Sequence, residues 1–198
     1  MRVYLGSILD CPADVIVNPA NSFMRHGGGL AAVLDTAATK QRTGYYLRMD
    51  GSDGPDAKRF KADQAQIDAY IKHRTIAPLV ATGDAILGPP GVLPYKAICH
   101  AVGPIWDAKR VNRSAVLLMD AYESALSVSE DAGYESIVFP AIGAGIFGCP
   151  IDYVARAAVS MCRLTALDVT FAVMTDEHAF AFLDVIEQHR VANFVWPA

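Results

Sequence analysis

Basic residues are in short supply in this 198-residue chain: 17 Lys and Arg stand against 21 Asp and Glu. The formal charge is −4 and the pI about 5.7, so no chain-wide cationic surface is available to neutralise a nucleic-acid backbone, and no nucleic-acid partner is expected. Long apolar runs are missing too: none approaches the roughly 18 residues that a membrane-spanning helix needs. The first eight residues are too short and too polar for a secretory leader. The expectation is a cytoplasmic protein without membrane partners. Cysteine is sparse and scattered. Cys11, Cys99, Cys149 and Cys162 form no C-x-x-C pair and have no His at ligand spacing, so no metal site is expected. Most of the four sit in apolar runs or beside prolines, where a thiol acts as a small buried hydrophobe, and none is assigned a catalytic role.

Apolar residues make up 53% of the sequence, and the length suits one compact domain with a sizeable core. Short β-branched runs alternate with segments of helical period, which predicts an α/β fold. The architecture expected is a three-layer αβα sandwich around a mixed, mostly parallel sheet of six or seven strands. Strands are predicted at 3–8, 14–17, 97–102, 136–139, 169–173 and 193–196, with a weaker one at 84–87. Several lack polar alternation, as strands buried on both faces do. Apolar spacing of three and four predicts helices around Leu30–Ala38, Ile67–Ile71, Leu118–Ala125, Ile151–Cys162 and Ala179–Ile186. Pro150 suits the first position of the fourth. Residues 43–58 contain GSDGPD and few apolar side chains, which marks a surface loop. No repeat or linker divides the chain, so a single domain over 1–198 is expected, carrying an insertion at about 43–74.

Two glycine-rich segments bear on chemistry. The first runs from a buried strand through polar residues into three glycines, Val15-Ile-Val-Asn-Pro-Ala-Asn-Ser-Phe-Met-Arg-His-Gly-Gly-Gly-Leu30. The second is Ser136-Ile-Val-Phe-Pro-Ala-Ile-Gly-Ala-Gly-Ile-Phe-Gly-Cys-Pro150. Glycine runs are costly in chain entropy, so some feature must require them. A backbone without Cβ atoms can approach a phosphate closely, and N–H groups at a helix start favour an anion. A plain strand-to-helix turn normally needs one glycine rather than three. If the two strands are neighbours, both loops converge on one diphosphate. Gly143, Gly145 and Gly148 also match G-x-G-x-x-G, the dinucleotide fingerprint. That motif belongs to a first βαβ unit and wants an acid at the end of the next strand, whereas Asp168 precedes its strand. A nicotinamide-dependent oxidoreductase is therefore a remote alternative.

With both loops in view, the sequence resembles the macrodomains. The resemblance rests on Asn18-Pro19-Ala20-Asn21, Gly27-Gly28-Gly29, Gly143-Ala144-Gly145-Ile146-Phe147-Gly148, Thr82-Gly83-Asp84-Ala85 and His100-Ala-Val-Gly-Pro104. His26 and the Gly-Ile-Phe-Gly form look most like viral-type members that remove mono-ADP-ribose from proteins. The resemblance implies that the chain binds ADP-ribose and hydrolyses mono-ADP-ribose from modified proteins, or processes derivatives such as the 1''-phosphate. A non-catalytic ADP-ribose reader is the alternative. The implied partners are ADP-ribose or an ADP-ribosylated protein, with no cofactor and a monomeric state.

The same resemblance assigns residues. Gly27, Gly28, Gly29 and Leu30 would line the distal ribose and diphosphate, with Ala20 and Asn21 beside them. Gly145, Ile146, Phe147 and Gly148 would wrap the phosphates, Phe147 covering the distal ribose, with Gly143 and Ala144 also among the substrate-binding residues. Ser7 and Ile8 stand where the family usually has an Asp-Ile that binds adenine, and Met174 where viral relatives often have an aromatic on the base. Ser7 is a weaker, uncharged acceptor. Ala31 and Ala32 hold positions at which many cellular hydrolases of the family carry an acid. Cleavage at an anomeric carbon commonly uses two carboxylates, and neither loop holds one. The catalytic candidates are then Asn21, orienting ribose and water, and His26 as a base near neutral pH.

Overall fold

A computed structural model describes residues 1–25, 28–39, 64–76 and 79–192. The described chain forms six strands, β1 (Arg2–Leu5), β2 (Val15–Ala20), β3 (Ala85–Gly88), β4 (Ala97–Val102), β5 (Ser136–Phe139) and β6 (Asp168–Val173). Five α-helices accompany them: α1 (Gly29–Thr39), α2 (Gln64–Ile76), α3 (Val111–Asp131), α4 (Ile151–Cys162) and α5 (Asp176–Ala192). The strands lie in one sheet in the order β1-β6-β5-β2-β4-β3, parallel throughout except for β3, which runs antiparallel to β4 at the edge. This is the mixed, mostly parallel sheet that the alternating pattern predicts. The seventh candidate strand, 193–196, and the loop at 43–58 lie outside the described residues.

The inner strands β2, β4, β5 and β6 are largely apolar and buried because both faces of the sheet are covered there. On one face Val15, Val17, Cys99, Ile137, Phe139, Val169 and Phe171 pack under α3, α4 and α5. On the other, Ile16, Ile98, Val138 and Ala172 meet Leu34, Ala37 and Ala38 of α1 and Tyr70 of α2. Alternate residues of one strand thus feed opposite cores, as the two-residue period of a strand requires. The larger core is threaded by an aromatic series, Tyr122–Phe139–Phe171–Phe182, with centroids 5.2, 6.3 and 4.6 Å apart. Residues 64–74, the described part of the expected insertion, are helical. Tyr70 is fully buried there and donates to the carboxylate of Asp35 at 3.1 Å, tying α2 to α1. Asp35, which reads from the sequence as a solvent-facing charge, is thus a helix-to-helix tie.

Two strand boundaries differ from the sequence pattern. The first strand stops at Leu5, because the Ser7 hydroxyl accepts from the Leu9 amide at 3.3 Å and turns the chain into a single 3-10 turn, Ile8–Asp10. β2 runs on through Pro19 to Ala20. It pairs with β5 only at Val15 and Ile16, so beyond Ile16 one side of β2 is an edge, where a residue lacking an N–H is tolerated. Pro150 sits one position before the first helical residue of α4 and supplies its carbonyl to the first turn.

A buried polar pair lies on the α2 side. Asn18 of β2 and His100 of β4 are register partners, and the Asn18 amide nitrogen lies 3.0 Å from His100 Nδ1. An amide N–H donating there makes Nδ1 the acceptor and puts the imidazole proton on Nε2. The His73 ring of α2 stacks on His100 with centroids 5.9 Å apart. It also fills the space over Gly88, where a Cβ would come within 2.7 Å of the ring.

Burial holds the His73 pKa below its ordinary value. The folded state therefore resists protonation, while the unfolded chain takes a proton near pH 6.5. Stability is full above that value and is lost as pH falls through it towards the folded pKa. Urea unfolding between pH 7.5 and 5 should show this loss, and His73→Gln should reduce its pH dependence while lowering stability at pH 7.5 by about 1 kcal/mol through lost ring packing on His100 and Gly88. An unchanged pH profile in the variant would exclude His73 as its source.

Candidate functional site

Because β2 and β5 are parallel neighbours, their carboxyl ends open on the same edge of the sheet, and the chain leaving each passes into a glycine-rich loop. The loop after β2 is built on Asn21. Its side-chain oxygen accepts from the amides of Phe23 and Arg25 at 3.1 and 3.2 Å, and its amide nitrogen donates to the Arg25 carbonyl. The turn closes with Met24 N–H on the Asn21 carbonyl at 2.9 Å. Met24 is anchored in a small core with Ala20, Val80 and Val102, and takes a positive φ of 53° to reach it. Asn21 therefore shapes the loop. His26 and Gly27 lie outside the described residues.

The chain re-enters at Gly28 and opens α1 at Gly29, whose φ of 58° favours glycine. The first amides of a helix have no intrahelical acceptor, so α1 presents N–H groups and the positive end of its dipole at this point. Gly28 and Gly29 are exposed, and Leu30 is half-buried.

The loop after β5 faces them. It is tied from below: Tyr122 of α3 donates its hydroxyl to the Pro140 carbonyl at 3.3 Å and accepts from the Ile142 amide at 3.0 Å. Cys149 N–H bonds the Gly143 carbonyl and Gly148 N–H the Gly145 carbonyl, both at 2.9 Å, which folds 143–149 into a compact turn. Among the described residues, the amides of Gly145, Ile146 and Phe147 donate to no main-chain acceptor. No heavy atom lies within 4 Å of where a Cβ on Gly145 would stand. Three consecutive, unblocked N–H groups in a turn form a concavity suited to an anion.

The two loops meet. A Cβ placed on Gly28 or Gly29 would lie 3.4 Å from Ile146 Cδ1, so the Ile146 side chain, itself 80% exposed, spans from one loop to the other. Glycines 28 and 145 are on the same side of the molecule and border one cleft.

Other sequence-assigned residues fall around this centre in different ways. Gly6 N–H bonds the Val173 carbonyl at 2.8 Å, so Ser7 and Met174 follow adjacent positions at the carboxyl ends of paired β1 and β6. Met174 is 72% exposed, whereas Ile8 is buried in the α1-side core, and its carbonyl accepts from the Tyr95 hydroxyl at 3.0 Å and the Cys11 amide at 3.2 Å. Ala20 is buried beneath the first loop, while Ala144 and Phe147 are half-buried. No group of three or more His, Cys, Asp or Glu suited to a metal occurs among the described residues. Burial pushes the Cys149 thiol up to about 11, so it stays protonated and poorly nucleophilic at neutral pH.

Asp168 begins β6, at the opposite end of the sheet from the cleft, and is ion-paired with Arg2. Asp168 is therefore not placed to hold a ribose for the glycine motif of the second loop in the dinucleotide manner. Two supports were not legible in the sequence. Tyr122 reads as a core position of α3, and nothing local marks its hydroxyl as a tie. Trp106, whose N–H bonds the Phe147 carbonyl at 2.9 Å and whose ring packs on Tyr153 of α4 at 4.8 Å, lies in a segment without a recognisable period.

Comparison with known proteins agrees with this geometry. The family model for the macro domain matches residues 17–158. An O-acetyl-ADP-ribose deacetylase of Escherichia coli K12 is 34% identical over 159 residues, covering 80% of this chain and 76% of that protein. The human protein mono-ADP-ribosyltransferase PARP14 is 31% identical over 185 residues, and the match covers 93% of this chain but only 9% of that much longer protein. Among solved structures, a macrodomain from Oceanobacillus iheyensis with ADP superposes with a TM-score of 0.72 at 23% identity, covering 96% of this chain and 91% of that one. One from Trypanosoma brucei in complex with ADP-ribose gives 0.69 at 22% identity, covering 93% and 68%. With the family model spanning most of the chain and both glycine loops of the motif closing on one cleft, the protein belongs to the macrodomain family.

Proposed function

We propose that the cleft binds ADP-ribose and that the protein hydrolyses ADP-ribosyl esters, both acyl esters of free ADP-ribose and mono-ADP-ribose carried on protein carboxylates. The observation that carries this reading is the convergence of Gly28 and Gly29 with Ile146 over three unengaged amides. A diphosphate placed there receives main-chain N–H bonds from Gly145, Ile146 and Phe147 and the favourable end of the α1 dipole, and no Cβ stands in its way. The names of the bacterial relatives, O-acetyl-ADP-ribose deacetylases, support ester hydrolysis as the reaction class. In this reading Phe147 covers the distal ribose, and Ser7 and Met174 receive the base. Asn21 orients the ribose and a water, His26 takes a proton from that water, and the substrate's own phosphate assists. The glycine loops bring no carboxylate, so in this reading neither loop supplies the carboxylate pair that glycosidases use.

One observation favours a second reading, a binder without turnover. Both polar atoms of the Asn21 side chain are already engaged by the loop backbone. An amide so held is a scaffold first and a chemical group second.

Titration calorimetry with ADP-ribose tests the cleft directly. Gly28→Glu should abolish measurable binding, a loss of at least about 100-fold, because its carboxylate both fills and repels the diphosphate space. Circular dichroism should show a retained fold, since the added Cβ meets only the flexible end of Ile146. Undiminished affinity would remove the cleft from consideration.

Incubation with O-acetyl-ADP-ribose and with a mono-ADP-ribosylated protein separates enzyme from binder. Release that falls at least about tenfold in His26→Ala, with ADP-ribose affinity kept, supports the hydrolase. Tight binding with no release in the wild type establishes the binder. Tyr122→Phe should cost about 1–2 kcal/mol of stability in urea unfolding, because the buried Ile142 N–H loses its acceptor. It should also weaken ADP-ribose binding several-fold through a looser second loop, and equal affinity would show that the tie serves stability alone.

A further inference from the structure

The loop that follows β4 is fastened to the cleft. Gly103 lies so close to the second glycine loop that a Cβ on it would stand 2.7 Å from Ile142, and Trp106 N–H holds the Phe147 carbonyl. From this junction the chain continues outward through Ile105, 74% exposed, to Lys109, Arg110 and Arg113, all exposed at the start of α3. Lys109, Arg110 and Arg113, with Val111 and Asn112 between them, line a shallow concavity. Between His100 and Met119 the only acid is Asp107, and it is committed to Arg110 at 2.7 Å and to the Lys109 amide at 2.9 Å. A local cationic excess beside the cleft of a chain with net charge −4 runs against the charge of the whole.

Resting on the reading that the cleft takes ADP-ribose, we infer that this shelf docks the protein that carries the modification, through acidic residues flanking the modified side chain. Lys109 and Arg113 supply the charge complementarity. Exposed Ile105 and Val116 supply apolar contact alongside it. The fastening of 103–106 to Phe147 places the shelf next to the loop that holds the diphosphate. A polypeptide fits better than a nucleic acid. The aromatic of this segment, Trp106, is half-buried and packs on Tyr153, while the exposed apolar side chains, Ile105 and Val116, carry no ring on which a base could stack. The shelf thus selects among modified proteins, while the glycine loops hold the part common to all of them.

The test compares two peptides bearing one ester-linked ADP-ribose, one with acidic and one with neutral flanks, against wild type and a Lys109→Glu/Arg113→Glu variant. For the acidic peptide the variant should show a drop of about tenfold in kcat/KM, or in affinity if the protein only binds. The steep weakening with added salt should also disappear. Affinity for free ADP-ribose and handling of the neutral peptide should be unchanged, which also shows that the variant is folded. Equal behaviour of the two peptides, or equal losses on both, overturns the shelf while leaving the cleft intact. A larger loss on an ADP-ribosylated oligonucleotide than on the acidic peptide overturns it in favour of nucleic acid. Failure of the wild type to bind free ADP-ribose overturns the cleft reading itself, and the shelf with it.

Discussion

The site depends on the parallel pairing of β2 with β5. Only two residue pairs make that contact, Val15 with Ile137 and Ile16 with Val138, yet they decide where two loops nearly 120 positions apart in the chain come together. Parallel strands point their carboxyl ends the same way, and a strand pair interrupted after two residues leaves a crevice above it into which both following loops project. Had either strand run antiparallel, its glycine-rich segment would have emerged at the far edge of the sheet. The main-chain amides at the start of α1 and those of 145–147 would then have stood at opposite edges of the sheet.

The loops are shaped by polar groups that the fold places beneath or within them. Asn21 binds the backbone of its own loop, and the Tyr122 hydroxyl holds the second loop by donating to one main-chain group and accepting from another. Gly28, Gly29 and Gly145 remain exposed beside these ties. A ligand then meets donors already in place, so little ordering cost falls on the binding event. The two helix-covered cores serve the same end, because the aromatic series from Tyr122 to Phe182 fixes α3, and with it the hydroxyl that carries the loop.

Much of the fold was legible in the residues. Buried strands without polar alternation, helices with three-and-four spacing, and three consecutive glycines opening a helix each have a local cause that a sequence displays. The extent of β2 was harder to read, since Pro19 argues for termination, and its tolerance depends on β5 having already ended alongside. The early end of β1 follows from the Ser7 hydroxyl capping the 3-10 turn, a side-chain choice that the apolar run around it conceals. Asp35 illustrates the opposite error. A charge on an amphipathic helix reads as solvated, and only the arrival of Tyr70 from another helix gives it a buried partner.

The amino-acid sequence alone determined the class of fold, the two glycine-rich loops and the absence of a carboxylate from either, because propensity, period and glycine content act over neighbouring residues. The tertiary structure decided that the loops share a cleft, that Ile146 spans it, that Asp168 stands at the wrong end to hold a ribose, and that Tyr122 and Trp106 brace the second loop. Each of these is a contact between segments distant in the chain. Such contacts are set by strand order and packing, and no local pattern encodes them.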